Sequence, residues 1–393
     1  MTRQEFIDRE ERFSVHDICP LPVVLQRGKG IFVWDTDGHK YFDFLAAYSS
    51  VNQGHCHHKI INAICEQATR LPLTSRTFLN DALGEWEEHI TTMFGYDKVL
   101  PMTTDAESIN TALILCRQWA YSHKGIADDA AKIVVCNGSS YGGAVATDTC
   151  DKTSEFATIR YNDLAALAEA LSDPNVAGFI VEPIQCDAGV IIPDDGYLRE
   201  AWKLCRSHNV LFIANETQTG LGRTGRMFAC DREKVRPDIL ITGNSLGGGT
   251  VAMSAVLTDN EIMSSYPNGH HGSVFGGNPM ACRASTAALK VLVEENMADN
   301  AERMGDLFRE RMSSISSEFI GGVRGRGLLN AVDIIPRDSI DAWNICLKMR
   351  DNGLLATTIG NNTIMFTPPL VIEEDEMYRA CNIIEKSILS FNK

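Results

Sequence analysis

The chain has no run of eighteen apolar residues, so nothing in it reads as a membrane-spanning helix and membrane insertion is not expected. Its opening stretch, MTRQEFIDREERF, lacks the apolar core of a secretory signal. It equally lacks the acid-poor, Arg- and Ser-rich look of an organelle presequence, so the compartment expected is the cytosol. There is no stripe of Lys and Arg; with a net charge of −15, that argues against nucleic acid or anionic lipid as a partner, both of which reward clustered cations. The twelve cysteines include no C-x-x-C pair, which argues against a disulfide framework or a zinc ribbon and for reduced thiols. The one local cluster, His55-Cys56-His57-His58, consists of neighbours that cannot all face one ion in a regular element. It reads as a turn or subunit contact, and no metal is expected.

What is present is an alternation. Short apolar, β-branched runs at 98–102, 132–135, 158–161, 178–182, 210–214, 238–242 and 253–257 are separated by segments of 3.6-residue period at 82–94, 107–122, 163–171 and 197–208. This is the pattern of a mostly parallel sheet covered by helices on both faces, an α/β fold. After about residue 278 the character changes. Long amphipathic segments at 281–295, 300–317, 338–352 and 374–389 frame short strands at 327–333 and 363–367, which predicts a smaller α+β domain. Near the start, 31–35 and 41–44 flank an Asp37-Gly38 turn signal and predict a hairpin. The division expected is an N-terminal segment, 1–45, joined to the small domain; a large α/β domain, 46–280; and a C-terminal small domain, 281–393.

Sites in such sheets form where strands end and loops cross to helices. Four edges carry polar residues: Thr103-Thr104-Asp105-Ala106-Glu107, Glu182-Pro183-Ile184-Gln185, Asn215-Glu216-Thr217-Gln218-Thr219-Gly220, and Gly243-Asn244-Ser245 followed by Gly247-Gly248-Gly249. With Pro20-Leu21-Pro22-Val23, YFDFLAAYSSVNQGHCH at 41–57, KVLPM at 98–102, VEPIQ at 181–185, QTGLGRTGR at 218–226, RPDIL at 236–240, FGGNP at 275–279 and RGRGLLNA at 324–331, the chain resembles the class III, fold-type I aminotransferases. The likeness runs from about Asp17 to Phe391 and is strongest to the ornithine aminotransferase group.

That resemblance implies a fold-type I architecture, a dimer whose sites draw on both subunits, and a lysine that forms an imine with pyridoxal phosphate. The lysine's position falls on Asn244, and no lysine lies between Lys234 and Lys290. An amide neither forms the imine nor takes up a proton near neutral pH. The aspartate facing the ring nitrogen corresponds to Asn215, and the residue beneath the ring to Thr217, beside Gln218. Of the pair over the ring and next to it, Ser140 stands in the covering aromatic's place, followed by Tyr141. In the phosphate loop Asp105 and Ala106 replace glycine and a small residue. A carboxylate there opposes a phosphate by on the order of 4 kcal/mol at about 4 Å and an effective dielectric of 20. The threonine a neighbouring subunit would donate, after Ser273, is Val274. The arginines that would grip substrate carboxylate fall on Met365 and Gly143, a tyrosine falls on Ile18, and a glutamate is shortened to Asp187.

The expectation from these substitutions is a catalytically inactive relative without bound cofactor, a binding, regulatory or structural subunit. It would pair with itself or with an active paralogue, or join a larger assembly. Two alternatives remain: an active enzyme with lysine-free chemistry on the amine form of the cofactor, and a metabolite-binding protein using the vacated pocket. The resemblance also brings in the mitochondrion as the alternative compartment. Glu107 reads as a helix cap before it reads as a ligand. For Tyr48, Glu182 and Glu216, hydrogen bonds to strand ends and loops are at least as good a reading as contact with a ligand.

Overall fold

In the computed structural model, residues 1–15, 20–141, 155–267, 269, 273–360 and 362–392 are described. A seven-stranded sheet forms the centre, in the order Lys98–Met102, Ser254–Thr258, Ile239–Thr242, Leu211–Asn215, Val176–Val181, Lys132–Cys136, Phe156–Ile159. All neighbours run parallel except Ser254–Thr258, which is antiparallel to both strands beside it. The four strands Val176–Val181, Leu211–Asn215, Ile239–Thr242 and Ser254–Thr258 are buried at every position, which explains why they read as continuous apolar runs rather than as alternation. The helices Asp105–Trp119 and Tyr197–Ser207 pack on the sheet through faces that are buried residue by residue.

The predicted hairpin is present as Phe32–Asp35 and Lys40–Asp43. Its turn is organised by the buried Asp35 carboxylate, which accepts the amides of Asp37 and His39 and the hydroxyl of Tyr41. A further strand, Leu25–Lys29, pairs on one side, and Leu354–Leu355 joins in parallel on the other. The third sheet is antiparallel: Ile320–Arg326, Leu329–Ile334, Thr363–Phe366, Thr357–Ile359. Met297–Ser313 and Ala342–Asp351 pack on it, and Glu374–Leu389 packs on both of these helices. Among the described residues no helix is long and apolar enough to cross a membrane.

Arg223 joins these parts. Its guanidinium is wholly buried and donates to the carbonyls of Leu328 and Pro368 and to the Asn52 side chain. Asn52 in turn donates to the Leu221 carbonyl and the Ser245 hydroxyl. Burial among neutral hydrogen-bond acceptors pulls the guanidinium down to about 9. The histidine cluster does not converge: His55 bonds Asp43 at 2.7 Å, while His57 reaches Glu295 at 3.1 Å and stacks on His58.

Candidate functional site

Helix Asp105–Trp119 begins at the sheet edge with a complete capping box. The Thr104 hydroxyl accepts the Glu107 amide, and the Glu107 carboxylate accepts the amides of Thr103 and Thr104 at 2.8 and 3.0 Å. Glu107 is therefore committed to the cap. The amides of Asp105 and Ala106 have no acceptor among the described residues, the normal fate of first-turn donors that a cap does not reach.

The Asp105 side chain turns onto the opposite wall. It lies over Gly243, where an added Cβ would stand 2.2 Å from its Oδ1, and it accepts the backbone N–H of Asn244. Gly243 has an extended backbone, so its missing side chain provides space for that carboxyl rather than relief of strain. Burial pushes the Asp105 carboxyl up to about 6, against the opposing pull of the Asn244 hydrogen bond.

Asn244 directly follows Ile239–Thr242 and Gly243, with φ +46, a conformation that asparagine tolerates better than most residues. Its Nδ2 donates to the Tyr48 carbonyl at 2.9 Å. Tyr48 belongs to Ala46–Ser49, four consecutive non-glycine residues with φ of 45, 48, 54 and 68, a left-handed turn. Asp43 caps the turn's entrance through the amides of Leu45 and Ala46, and Thr367 donates to the carbonyls of Phe44 and Leu45.

Between the turn, the helix start and the Asn244 loop lies a cleft of about 470 Å³, whose polar lining comes from Ser50, Thr103, Thr104, Asp105, Asn244 and Thr250. Among the described residues no lysine or arginine lines it, and Asp105 is its single titratable residue. Ser273 approaches from the far side: its hydroxyl is 3.1 Å from that of Thr103 and donates to Glu107 at 3.3 Å.

A second group gathers at the ends of the next strands. The Ser140 amide donates to Glu182 Oε1, while the buried Glu182 Oε2 has no partner among the described residues; burial first, then the nearby Asp187 charge, holds this carboxyl well above its usual range. Gln218 donates to Asp187 at 3.3 Å, and Gln185 donates to the Asn137 carbonyl and the Ser139 hydroxyl. Asn215 folds onto Thr217, accepting its amide and hydroxyl. Glu216 is consumed by the Thr219 hydroxyl and the amides of Ala229 and Cys230.

Thus the expected residues Asp105, Asn244 and Ser273 do meet, with Ala106 beside them on the helix, and so do Ser140, Asp187 and Gln218. Two others lie elsewhere. Tyr141 points into the core, its hydroxyl donating to the Ile180 carbonyl. Met365 is sealed in an apolar cluster with Ile184, Cys186 and Val190. Val274, expected to face a neighbouring subunit's site, is 60% exposed on the surface. Ile18 and Gly143 lie outside the described residues. The sequence reading missed the left-handed turn and the Arg223 anchor. No glycine or asparagine in Ala46-Ala47-Tyr48-Ser49 signals the first.

A family profile described as Aminotransferase class-III matches residues 14–388. The chain is 52% identical to the rat (Rattus norvegicus) protein named "Ornithine aminotransferase, mitochondrial", over 98% of this chain and 90% of that one. Among solved structures it resembles the acetylornithine aminotransferase of Elizabethkingia anophelis, at 50% identity and a TM-score of 0.94 over 100% of both chains. It also resembles the ornithine aminotransferase of Toxoplasma gondii, at 44% identity and a TM-score of 0.96 over 99% of this chain and 94% of that one. The Toxoplasma protein, crystallised in the presence of oxidised glutathione, holds PLP at partial occupancy in its active site.

These findings overturn two expectations. An inactive subunit gives way to an enzyme, because relatives this similar over the whole chain are named as aminotransferases. The expected absence of cofactor is corrected likewise, by the pyridoxal phosphate of the family and of the Toxoplasma protein. The physical error lay in treating Asp105 as a fixed charge facing a phosphate; Glu107 reads as a cap and is one. Asp105 sits close enough to neutrality to take a proton.

Proposed function

Because the chain belongs to the class III aminotransferases, we propose that it is an enzyme of amino-group exchange on ornithine-like amines, holding pyridoxal phosphate or its amine form without a covalent bond. The observation that carries this reading is the Asn244 cleft. It has the helix start at Asp105, whose amide has no acceptor among the described residues, and hydroxyls from Thr103 and Thr104, but no lysine among the described residues of its lining. Those residues fit a phosphate-bearing ring held by hydrogen bonds. They do not fit an imine.

When bound, the cofactor supplies the electron sink that lets an amino group pass between an amine and a carbonyl compound. Thr103, Thr104 and the amides of Asp105 and Ala106 would hold its anionic end. Asn244 binds the Tyr48 carbonyl and so sets the wall opposite. Asn244 moves no proton, and Asp105, the one titratable group lining the cleft among the described residues, is turned onto Gly243, so the proton exchanged at substrate would come from solvent. Loss of a positioned acid–base group costs roughly 10²–10⁴-fold in rate, and slow turnover is expected.

The exposed Phe78, Leu79, Val274 and Phe275 lie close in sequence to Leu83 and to Gly277, which packs against Leu83 and Pro101. Exposed apolar side chains of this kind support pairing of two copies. The compartment in the rat relative's name supports a mitochondrial setting over the cytosolic default. The test is to load the purified chain with the amine form of the cofactor, add a 2-oxo acid, and follow the transfer of an isotope-labelled amino group. Transfer of one equivalent supports the reading; cofactor retained without any transfer defeats it.

A further inference from the structure

The histidines at 55–58 take no part in the cleft, yet the first of them reaches its wall through one intermediary. The His55 backbone pairs with Gly30 in both directions, at 2.8 and 2.9 Å. Its ring lies flush on the strand Leu25–Lys29, where a Cβ added at Gly28 would stand 2.8 Å from the ring's Cγ and Nδ1. Main chain and ring are thus both fixed, and Nε2 is left 2.7 Å from Asp43 Oδ2. A carboxylate only accepts, so Nε2 carries the hydrogen.

Asp43 ends the hairpin strand Lys40–Asp43 and gives each of its oxygens a separate task. Oδ1 accepts the amides of Leu45 and Ala46 at 2.9 and 2.8 Å, at the entrance of the left-handed turn Ala46–Ser49, while Oδ2 takes His55. The torsion that turns a carboxylate is soft, so a group bonded through one oxygen swings and a group bonded through both does not. Among the described residues His55 is the only side chain hydrogen-bonded to Asp43. Arg223 faces the same carboxylate as a charge, but its guanidinium is spent on Leu328, Pro368 and Asn52. The turn needs such holding, because all four of its residues have positive φ. Ala47 within it, and Ser50 and Val51 just after it, line the cleft.

We propose that His55 is a positioning residue: acting through Asp43, it fixes the entrance of the Ala46–Ser49 turn and so holds the cleft wall in the shape that accepts ligand. The proposal rests on the reading of this cleft as the cofactor's site. His55 itself is not among the cleft's lining residues, so whatever it does there it does through Asp43.

The experiment is amide hydrogen exchange on the full chain, read at Leu45, Ala46, Tyr48, Ser50 and Val51, with the strands Val176–Val181 and Leu211–Asn215 as the control for folding. His55→Leu fills the ring's space without a donor. It should speed exchange in the turn by about tenfold or more, the weight of a hydrogen bond to a charged group, and leave the strands unchanged. His55→Gln, whose amide can donate to Oδ2, should stay close to the wild type. In an Asp43→Ala background His55→Leu should add nothing, because its path runs through that carboxylate. Saturating pyridoxamine phosphate should slow exchange at the same amides in the wild type and in His55→Leu, since it binds only the closed turn. Unchanged turn exchange in His55→Leu, a rise shared by the strands, an equal rise in the Asp43→Ala background, or His55→Gln no better than His55→Leu would overturn the positioning role. So would pyridoxamine phosphate that binds, by calorimetry, without slowing the turn. If calorimetry shows no binding to the wild type at all, the cofactor reading has failed, and the positioning role fails with it.

Discussion

Removing the Asn244 side chain tests how the cleft wall is held. Left-handed backbone costs an L-residue about 1–2 kcal/mol, so four such residues in Ala46–Ser49 store roughly 4–8 kcal/mol that the surroundings must offset. The compensating contacts are the Asp43 cap, the Thr367 bonds to Phe44 and Leu45, the Val51 amide to the Ala46 carbonyl, and the Asn244 amide to the Tyr48 carbonyl. Only the last is lost in Asn244→Ala. A single partly exposed hydrogen bond contributes about 1 kcal/mol net, a factor of about 5 in a local opening equilibrium. Amide hydrogen exchange at Tyr48, Ser50 and Val51 should therefore speed up about fivefold, while the strands Val176–Val181 and Leu211–Asn215 exchange as before. Unchanged exchange in the turn, or an equal rise throughout the sheet, would refute the assignment of Asn244 as the clasp.

Two further outcomes follow from buried charge. Arg223→Met should lower unfolding free energy by about 3–5 kcal/mol in denaturant titration, because it strands the acceptors of Leu328, Pro368 and Asn52 in the core; a loss under about 1 kcal/mol would show that the anchor is dispensable. Glu182 has its folded-state pKa raised, so its contribution is fully present below the unfolded value and fades as pH rises toward the folded one. As pH rises above the ordinary glutamate range, stability of the wild type should fall more steeply than that of Glu182→Gln, which keeps an acceptor for Ser140. Parallel slopes in the two proteins would contradict the raised value.

Much of this fold was legible because buried parallel strands leave unbroken apolar runs: 98–102 and 132–135 recur as Lys98–Met102 and Lys132–Cys136. The antiparallel sense of Ser254–Thr258 was not legible, since period and composition carry no direction. Ile320–Arg326 escaped notice because three of its seven residues are glycine, and the pairing with Leu329–Ile334 that makes it a strand is tertiary. Helix Arg3–Phe13 has a Thr2 capping box but buries nothing, so no apolar stripe advertised it. At the site, the residue types at Asp105, Asn215 and Asn244 were plain, but their states were not. Whether a carboxyl repels or accepts a proton depends on burial by segments far away in the chain, and Asn244 bonds a turn 196 residues upstream. Counting substitutions therefore led to the wrong conclusion about the cofactor.

The central claim is that the family's cofactor is retained here without a covalent link. The most direct measurement is to incubate the purified chain with pyridoxal phosphate and its amine form at about pH 6, desalt, treat half with borohydride, and take intact-protein and small-molecule mass spectra of both halves. The account predicts close to one cofactor per chain among the released small molecules and an unchanged protein mass after reduction. A protein mass raised by a reduced imine, or a desalted protein that has kept no cofactor, would contradict it.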